Sequence, residues 1–308
     1  MAVDEQVPTG ATGAGPTIGV IGLGAIGDGV ATSVHAAGLP LVVCDVRTEA
    51  TDRHADHAVV AATPVELARL ADIVVVAVVN DEQVHAVLSG PDGALAAGGP
   101  STTFVVVSTI TTTCVAAIGA EAAAAGVAVV DCGVSGGPSA AATGSLVCMA
   151  GGDPVVIDGL SPLFDAIGSL TVTMGPFGSG LAAKLARNLV QYGGWLAAYE
   201  GQVLAEAAGI ELAKLAQVIK ASDALIGGAS TLMFRPTVAP FTGDDHPGLI
   251  QAMQNGASLA HKDLQAALAL AADLEVDLPM AVMTESQCDD IFGVGGINRG
   301  ATNKEDAR

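Results

Sequence analysis

The sequence predicts an α/β protein in which a doubly wound, mostly parallel sheet is followed by an all-α domain. Three observations carry this. Short aliphatic runs alternate with helical segments as far as Gly175, a glycine-rich loop follows the first run, and beyond Gly175 long helical stretches replace the strand-like runs.

The predicted strands occupy residues 17–23, 41–45, 73–79, 104–109, 127–134, 146–150 and 170–174. Each is short and dominated by Val, Ile and Leu, as strands buried on both faces must be. Helical candidates lie between them at 26–37, 64–71, 112–125 and 154–167. Longer ones follow at 181–208, 212–224 and 249–272. The first of these is too long to be buried by one small domain, so the boundary is placed near Gly175–Gly180. The expected organisation is a disordered tail at 1–16, a dinucleotide-binding domain at 17–177, an all-α substrate and dimerisation domain at 178–293, and a flexible tail at 294–308.

Composition narrows the function. Of 308 residues, 51% are hydrophobic and only 3% aromatic, so the core is built from small aliphatic side chains. A net charge of −20 argues against a nucleic-acid partner, because phosphates demand a basic surface, and against an anionic membrane. The longest apolar runs fall well short of the roughly 20 residues of a spanning helix, and the N-terminus lacks the pattern of a signal peptide. Cys44, Cys114, Cys132, Cys148 and Cys288 show no metal-type spacing, so no metal site is expected. They read as reduced thiols of a cytoplasmic protein.

The most informative local feature is Gly22-Leu23-Gly24-Ala25-Ile26-Gly27, between the first strand and the first helix. Gly22 permits a tight turn, Gly24 lets backbone approach a pyrophosphate, and Gly27 lets the helix pack on the strand with its N-terminus facing the anion. Asp45, about 20 residues on at the end of the second strand, stands where a ribose-binding acid belongs, giving a Rossmann-type dinucleotide site. A carboxylate there favours NAD. Arg47, two residues later, pulls toward NADP, since a guanidinium pairs with a 2′-phosphate, or else is a solvated loop charge. The reading is NAD, with NADP possible.

Three further segments are more specific: Asp131-Cys132-Gly133-Val134-Ser135-Gly136-Gly137, the stretch from Gly178 through Lys184 to Asn188, and Lys262-Asp263-Leu264. In this order and spacing the chain resembles the β-hydroxyacid dehydrogenase family, which includes 3-hydroxyisobutyrate dehydrogenase, tartronate semialdehyde reductase and 6-phosphogluconate dehydrogenase. The resemblance implies Lys184 as catalytic acid/base, with Asn188 one turn on helping to hold substrate and lysine. It implies substrate contacts from Ser135, Gly136 and Gly137, and cofactor contacts from Lys262, Thr109, Val78 and Val79. It also implies a homodimer or higher oligomer, with the active site in the cleft between domains. The expected substrate is a small 3-hydroxy acid or its semialdehyde.

The residues support this independently. Lys184 lies among Leu181, Ala182, Ala183, Leu185 and Ala186, and an apolar setting disfavours the ammonium and lowers its pKa toward the range of a general base. The bland alternative is a surface lysine. Cys132-Gly133 departs from the family's usual Ala-Pro, and Arg187 replaces the first of two asparagines common in relatives. Arg187 and Tyr192 occupy places that touch substrate in the phosphogluconate branch, which leaves an anionic or larger substrate open; Arg187 is otherwise a surface charge. Two rivals are an imine reductase-like, NADPH-dependent enzyme and a non-catalytic dinucleotide sensor. Imine reductases usually carry Asp or Tyr in place of the lysine, and a sensor has no need of a proton carrier.

Overall fold

A computed structural model of the chain describes residues 15–99 and 101–297. Of the tails expected at 1–16 and 294–308, residues 1–14 and 298–308 lie outside the described residues. The chain divides into two compact units between Arg187 and Asn188.

The first unit is built on one eight-stranded sheet. Its elements in chain order are β1 (Ile18–Ile21), α1 (Ala25–Ala36), β2 (Leu41–Cys44), α2 (Thr48–Asp52), β3 (Val59–Val60), α3 (Pro64–Leu70), β4 (Ile73–Val76), α4 (Asp81–Ser89), β5 (Thr103–Val106), α5 (Thr112–Ala125), β6 (Ala128–Ser135), α6 (Gly137–Ala142), β7 (Leu146–Gly151), α7 (Pro154–Gly159), α8 (Ser161–Ile167) and β8 (Gly168–Gly175). The strand order is β3-β2-β1-β4-β5-β6-β7-β8, parallel except for the β6–β7 pair. Side chains alternate between two cores, as a period of two requires. Ile18, Val20, Ile73, Val75 and Val105 face one, packed with Val30 and Val34 of α1. Ile21, Val74, Val76, Phe104 and Val106 face the other, packed with Leu67 of α3 and Ile118 of α5. Each such aliphatic burial is worth about 1.5–3 kcal/mol, so the sheet registers in one way only.

Several predicted elements differ in extent. β2 ends at Cys44, β4 at Val76 and β5 at Val106, so Asp45, Val78, Val79 and Thr109 sit in the loops beyond them. The ladder stops there because Ile21, Val76 and Val106 are the last paired residues of β1, β4 and β5 in their shared registers. The helix expected over 154–167 is two, α7 and α8, broken at Gly159–Leu160 before Pro162. α2, β3, α4 and α6 are not among the predicted elements. α4 is polar at its start and held by Asn80, whose side chain accepts from the Gln83 N–H, and it buries only Val84 and Leu88.

α9 (Ser179–Ala207) begins in the first unit and runs into the second; at 29 residues it spans about 43 Å. The second unit continues with α10 (Leu212–Ile226), α11 (Pro247–Asp273), α12 (Pro279–Ser286) and α13 (Cys288–Ile291). Its core is small: Phe241, Ala257 and Val294, with Leu249, Ile250, Met253, Phe292 and Ile297 against them. Val294, first residue of the expected loose tail, is fully buried there. Glu200 of α9 is buried and its carboxylate accepts from the N–H groups of Met280 and Ala281, at 2.7 and 2.9 Å, holding the start of α12.

Candidate active site

β1 lies between β2 and β4, where the order of connection reverses; in open α/β sheets this is the point at which a ligand crevice forms at the carboxyl ends of the strands. The 22–27 loop sits at that point. Gly22 has φ +88°, and a Cβ on Gly27 would collide with the Gly22 carbonyl. A Cβ on Gly24 would meet nothing within 4 Å, so backbone is open toward the crevice. The first-turn N–H groups of α1, from Ala25 to Gly27, have no intrahelical acceptor by geometry and suit a pyrophosphate. These residues fit a dinucleotide. Val78 flanks the loop, its Cγ1 2.8 Å from a Cβ built on Gly22, while Val79 is exposed.

Asp45 is more engaged than its spacing suggested. Its carboxylate accepts from the Leu23 N–H at 2.6 Å, the Arg47 N–H at 2.9 Å, and Arg47 Nε and Nη2 at 3.0 Å each. Burial pushes this carboxyl up, but the Arg47 guanidinium and the two backbone donors outweigh it and hold the pKa at about 2. Only 6% of the Asp45 side chain is exposed against 57% for Arg47, so the group turned outward is the guanidinium. Arg47 Nη2 also donates to the Leu23 carbonyl at 3.1 Å.

A second arginine, which the sequence analysis missed, lies beside it. Arg53 Nη2 reaches the same carbonyl at 3.4 Å and pairs with Asp28 at 2.9 Å. Asp28 in turn faces the Nε2 of buried His54 at 3.0 Å. The position of Arg53, six residues after Arg47 just beyond α2, was the only signal available.

β6 ends in the Ser135-Gly136-Gly137 turn. Ser135 is half-buried, Gly136 is exposed with φ +129°, and Gly137 opens α6. Lys184, in the second turn of α9, is brought to this turn. Its Nζ donates to the Val134 carbonyl at 2.6 Å. The side chain is half-buried, and burial first, then the positive charge of Arg187, lowers its pKa from 10.5. Thr109 is exposed in the loop after β5.

Arg187 is exposed, and Asn188 is half-buried one turn after Lys184. Tyr192 is exposed and meets Trp195 edge to face at 5.2 Å. Lys262, also exposed, pairs with the adjacent Asp263 at 3.2 Å. The carboxylate of Asp131, buried on β6 and given no role by the sequence, accepts from the Gly178 and Leu181 N–H groups at 2.6 Å each.

A dinucleotide loop at the switch point and a desolvated lysine at the end of β6 define a nicotinamide-dependent oxidoreductase. Comparison with known proteins agrees. Residues 17–175 match the family of the NAD binding domain of 6-phosphogluconate dehydrogenase, and residues 178–296 that of the NAD-binding of NADP-dependent 3-hydroxyisobutyrate dehydrogenase. An uncharacterised oxidoreductase of Mycobacterium tuberculosis is 36% identical over 266 residues, covering 86% of this chain and 90% of the relative. A crystal structure of a Mycobacterium avium protein assigned to the oxidoreductases superposes with TM-score 0.83 at 33% identity, covering 91% of this chain and 99% of the other. An imine reductase of Myxococcus stipitatus reaches TM-score 0.72 at 17% identity over 91% and 95% of the two chains, a likeness of fold alone. The chain belongs to the β-hydroxyacid dehydrogenase family and is an NAD(P)-dependent oxidoreductase acting on the CH–OH group of hydroxy acids.

Proposed function

We propose that the protein interconverts a small 3-hydroxy acid and its semialdehyde, with Lys184 carrying the proton. The observation that supports this best is the lysine's seat: a half-buried amine, of lowered pKa, on the Val134 carbonyl beside the Ser-Gly-Gly turn. When bound, the dinucleotide supplies the hydride acceptor or donor. In oxidation, neutral Lys184 accepts the hydroxyl proton; in reduction, its ammonium donates to the forming alkoxide. Ser135 and the N–H groups of Gly136 and Gly137 receive the substrate carboxylate as a neutral cradle. Asn188 holds substrate and lysine together, and Arg187 and Tyr192 face the distal part of the substrate. Val78, Val79, Thr109 and Lys262 contact the cofactor.

The lysine also weighs against an imine reductase activity, which shares the fold, and against a sensing role without turnover. Lys184→Ala should lower kcat by about 10²–10⁴-fold while leaving dinucleotide affinity nearly intact. In the wild type, kcat/KM for oxidation should rise with pH as the ammonium deprotonates, on a limb below 10.5 because burial disfavours the charged form. Turnover above a tenth of wild type in Lys184→Ala, followed by absorbance of the reduced cofactor, would remove the lysine from the reaction.

A further inference from the structure

We infer that Asp131 is the positioning residue of this site: its carboxylate sets where Lys184 stands. The inference rests on the reading of Lys184 as proton carrier. Asp131 lies where β6 changes character, its backbone paired in parallel register with Val106 of β5 and in antiparallel register with Gly151 of β7. Its side chain is buried, and an apolar cavity lined by Val106, Ile118, Phe177 and Leu181 adjoins it. A carboxylate in such a setting is costly unless satisfied.

It is satisfied by the start of α9. One oxygen accepts from Gly178 and the other from Leu181, N–H groups that the first turn of a helix leaves without intrahelical acceptors. The helix dipole favours the negative charge at this end. The helix is drawn onto strand backbone. A Cβ on Gly180 would collide with the Met149 carbonyl, and one on Gly133 with the Cβ of Lys184. Gly133 is two residues along β6 from Asp131, on the same face, and Lys184 is three residues after Leu181 in α9. The carboxylate therefore anchors one end of a short rigid path whose other end is the amine on Val134. Displacement of a reacting group by about 1 Å costs on the order of 10²-fold in rate.

The test is Asp131→Asn in the full chain, with three readouts. The first is the titration of Lys184 by NMR of protein labelled at the lysine ε-carbon, assigned with Lys184→Ala; the chain has only five lysines. The second is NADH affinity by fluorescence. The third is kcat with 3-hydroxyisobutyrate, measured in the wild-type and Lys184→Ala backgrounds. In Asp131→Asn, we expect Lys184 to titrate closer to an ordinary lysine, because its seat loosens and water reaches the amine. Loss of a nearby negative charge alone would move it the other way, so the sign separates positioning from electrostatics. NADH affinity should stay within about twofold, and Asp131→Asn should lower kcat about 10–100-fold in the wild-type background but cause no further fall in the Lys184→Ala background. An unmoved or lowered Lys184 titration in folded Asp131→Asn overturns the inference, as does an equal fall in kcat in both backgrounds. Should Lys184→Ala keep its turnover, the proton-carrier reading fails, while the titration still judges the positioning. If Asp131→Asn does not fold, Gly178→Ala replaces it. A Cβ has room there, nearest to Val115 at 3.6 Å, but φ of +97° disfavours it and draws the N–H off the carboxylate. A smaller upward shift of Lys184 is then expected, and none overturns the inference.

Discussion

Asp45 and Arg47 show how two residues can read oppositely alone and as a pair. Alone, the carboxylate repels a 2′-phosphate and selects NAD; paired, its charge is largely spent on the guanidinium and two backbone N–H groups. Asp45→Ser should free Arg47 and raise the ratio of kcat/KM for NADP over NAD, by about tenfold if one charge-assisted hydrogen bond to phosphate is gained. An unchanged ratio, or a wild type already preferring NADP, would defeat the proposed NAD preference. The pair also has a pH signature. With a folded pKa of about 2 against an ordinary 3.8, Asp45 contributes stability that is present above pH 3.8 and lost as pH falls toward 2. In Asp45→Ser, chemical denaturation should show a shallower loss of stability across that window.

At the scale of elements, two helices start from buried carboxylates instead of local caps. Asp131 of β6 holds the start of α9, and Glu200, further along α9, holds that of α12. Other helices are capped by near neighbours: Thr63 accepts from Glu66 N–H at α3, and Thr111 from Cys114 N–H at α5. A local cap fixes only a helix end, whereas a distant carboxylate fixes one element against another. Glu200→Ala should strand two half-buried N–H groups, those of Met280 and Ala281, and cost about 1–3 kcal/mol. Urea denaturation of the second unit's transition measures it, and a loss below about 0.5 kcal/mol would mean that water or a shifted helix replaces the carboxylate.

For the whole molecule, the second unit's apolar surface supports the homodimer implied by the family. Leu189, Trp195, Tyr199, Leu225, Ile226 and Met233 are each at least 60% exposed in the single chain. Large aromatic and aliphatic side chains left exposed in a single chain suit an association surface. Among the described residues no helix is long and apolar enough to cross a membrane. If the homodimer implied by the family forms, multi-angle light scattering should give at least twice 30.3 kDa at micromolar concentration. Trp195→Glu should shift the mass toward one chain. A wild-type monomer would remove the proposal.

The sheet and its site were legible in the sequence to the extent that local chemistry made them. Short unbroken aliphatic runs placed β1, β4 and β5, and the 22–27 glycines placed the dinucleotide loop, because strand pairing and tight turns depend on nearby residue types. The stretch around Lys184 was apolar enough to foretell a lowered pKa. Short polar elements such as α4 escaped, since two buried side chains leave no periodic trace. What only the tertiary structure decided was which distant groups meet. Arg47 folds back on Asp45, Arg53 reaches the Leu23 carbonyl, and Asp131 meets the start of α9 some 47 residues later. A buried carboxylate must find donors wherever the chain brings them, and no spacing in the sequence encodes an encounter that the packing of the sheet creates.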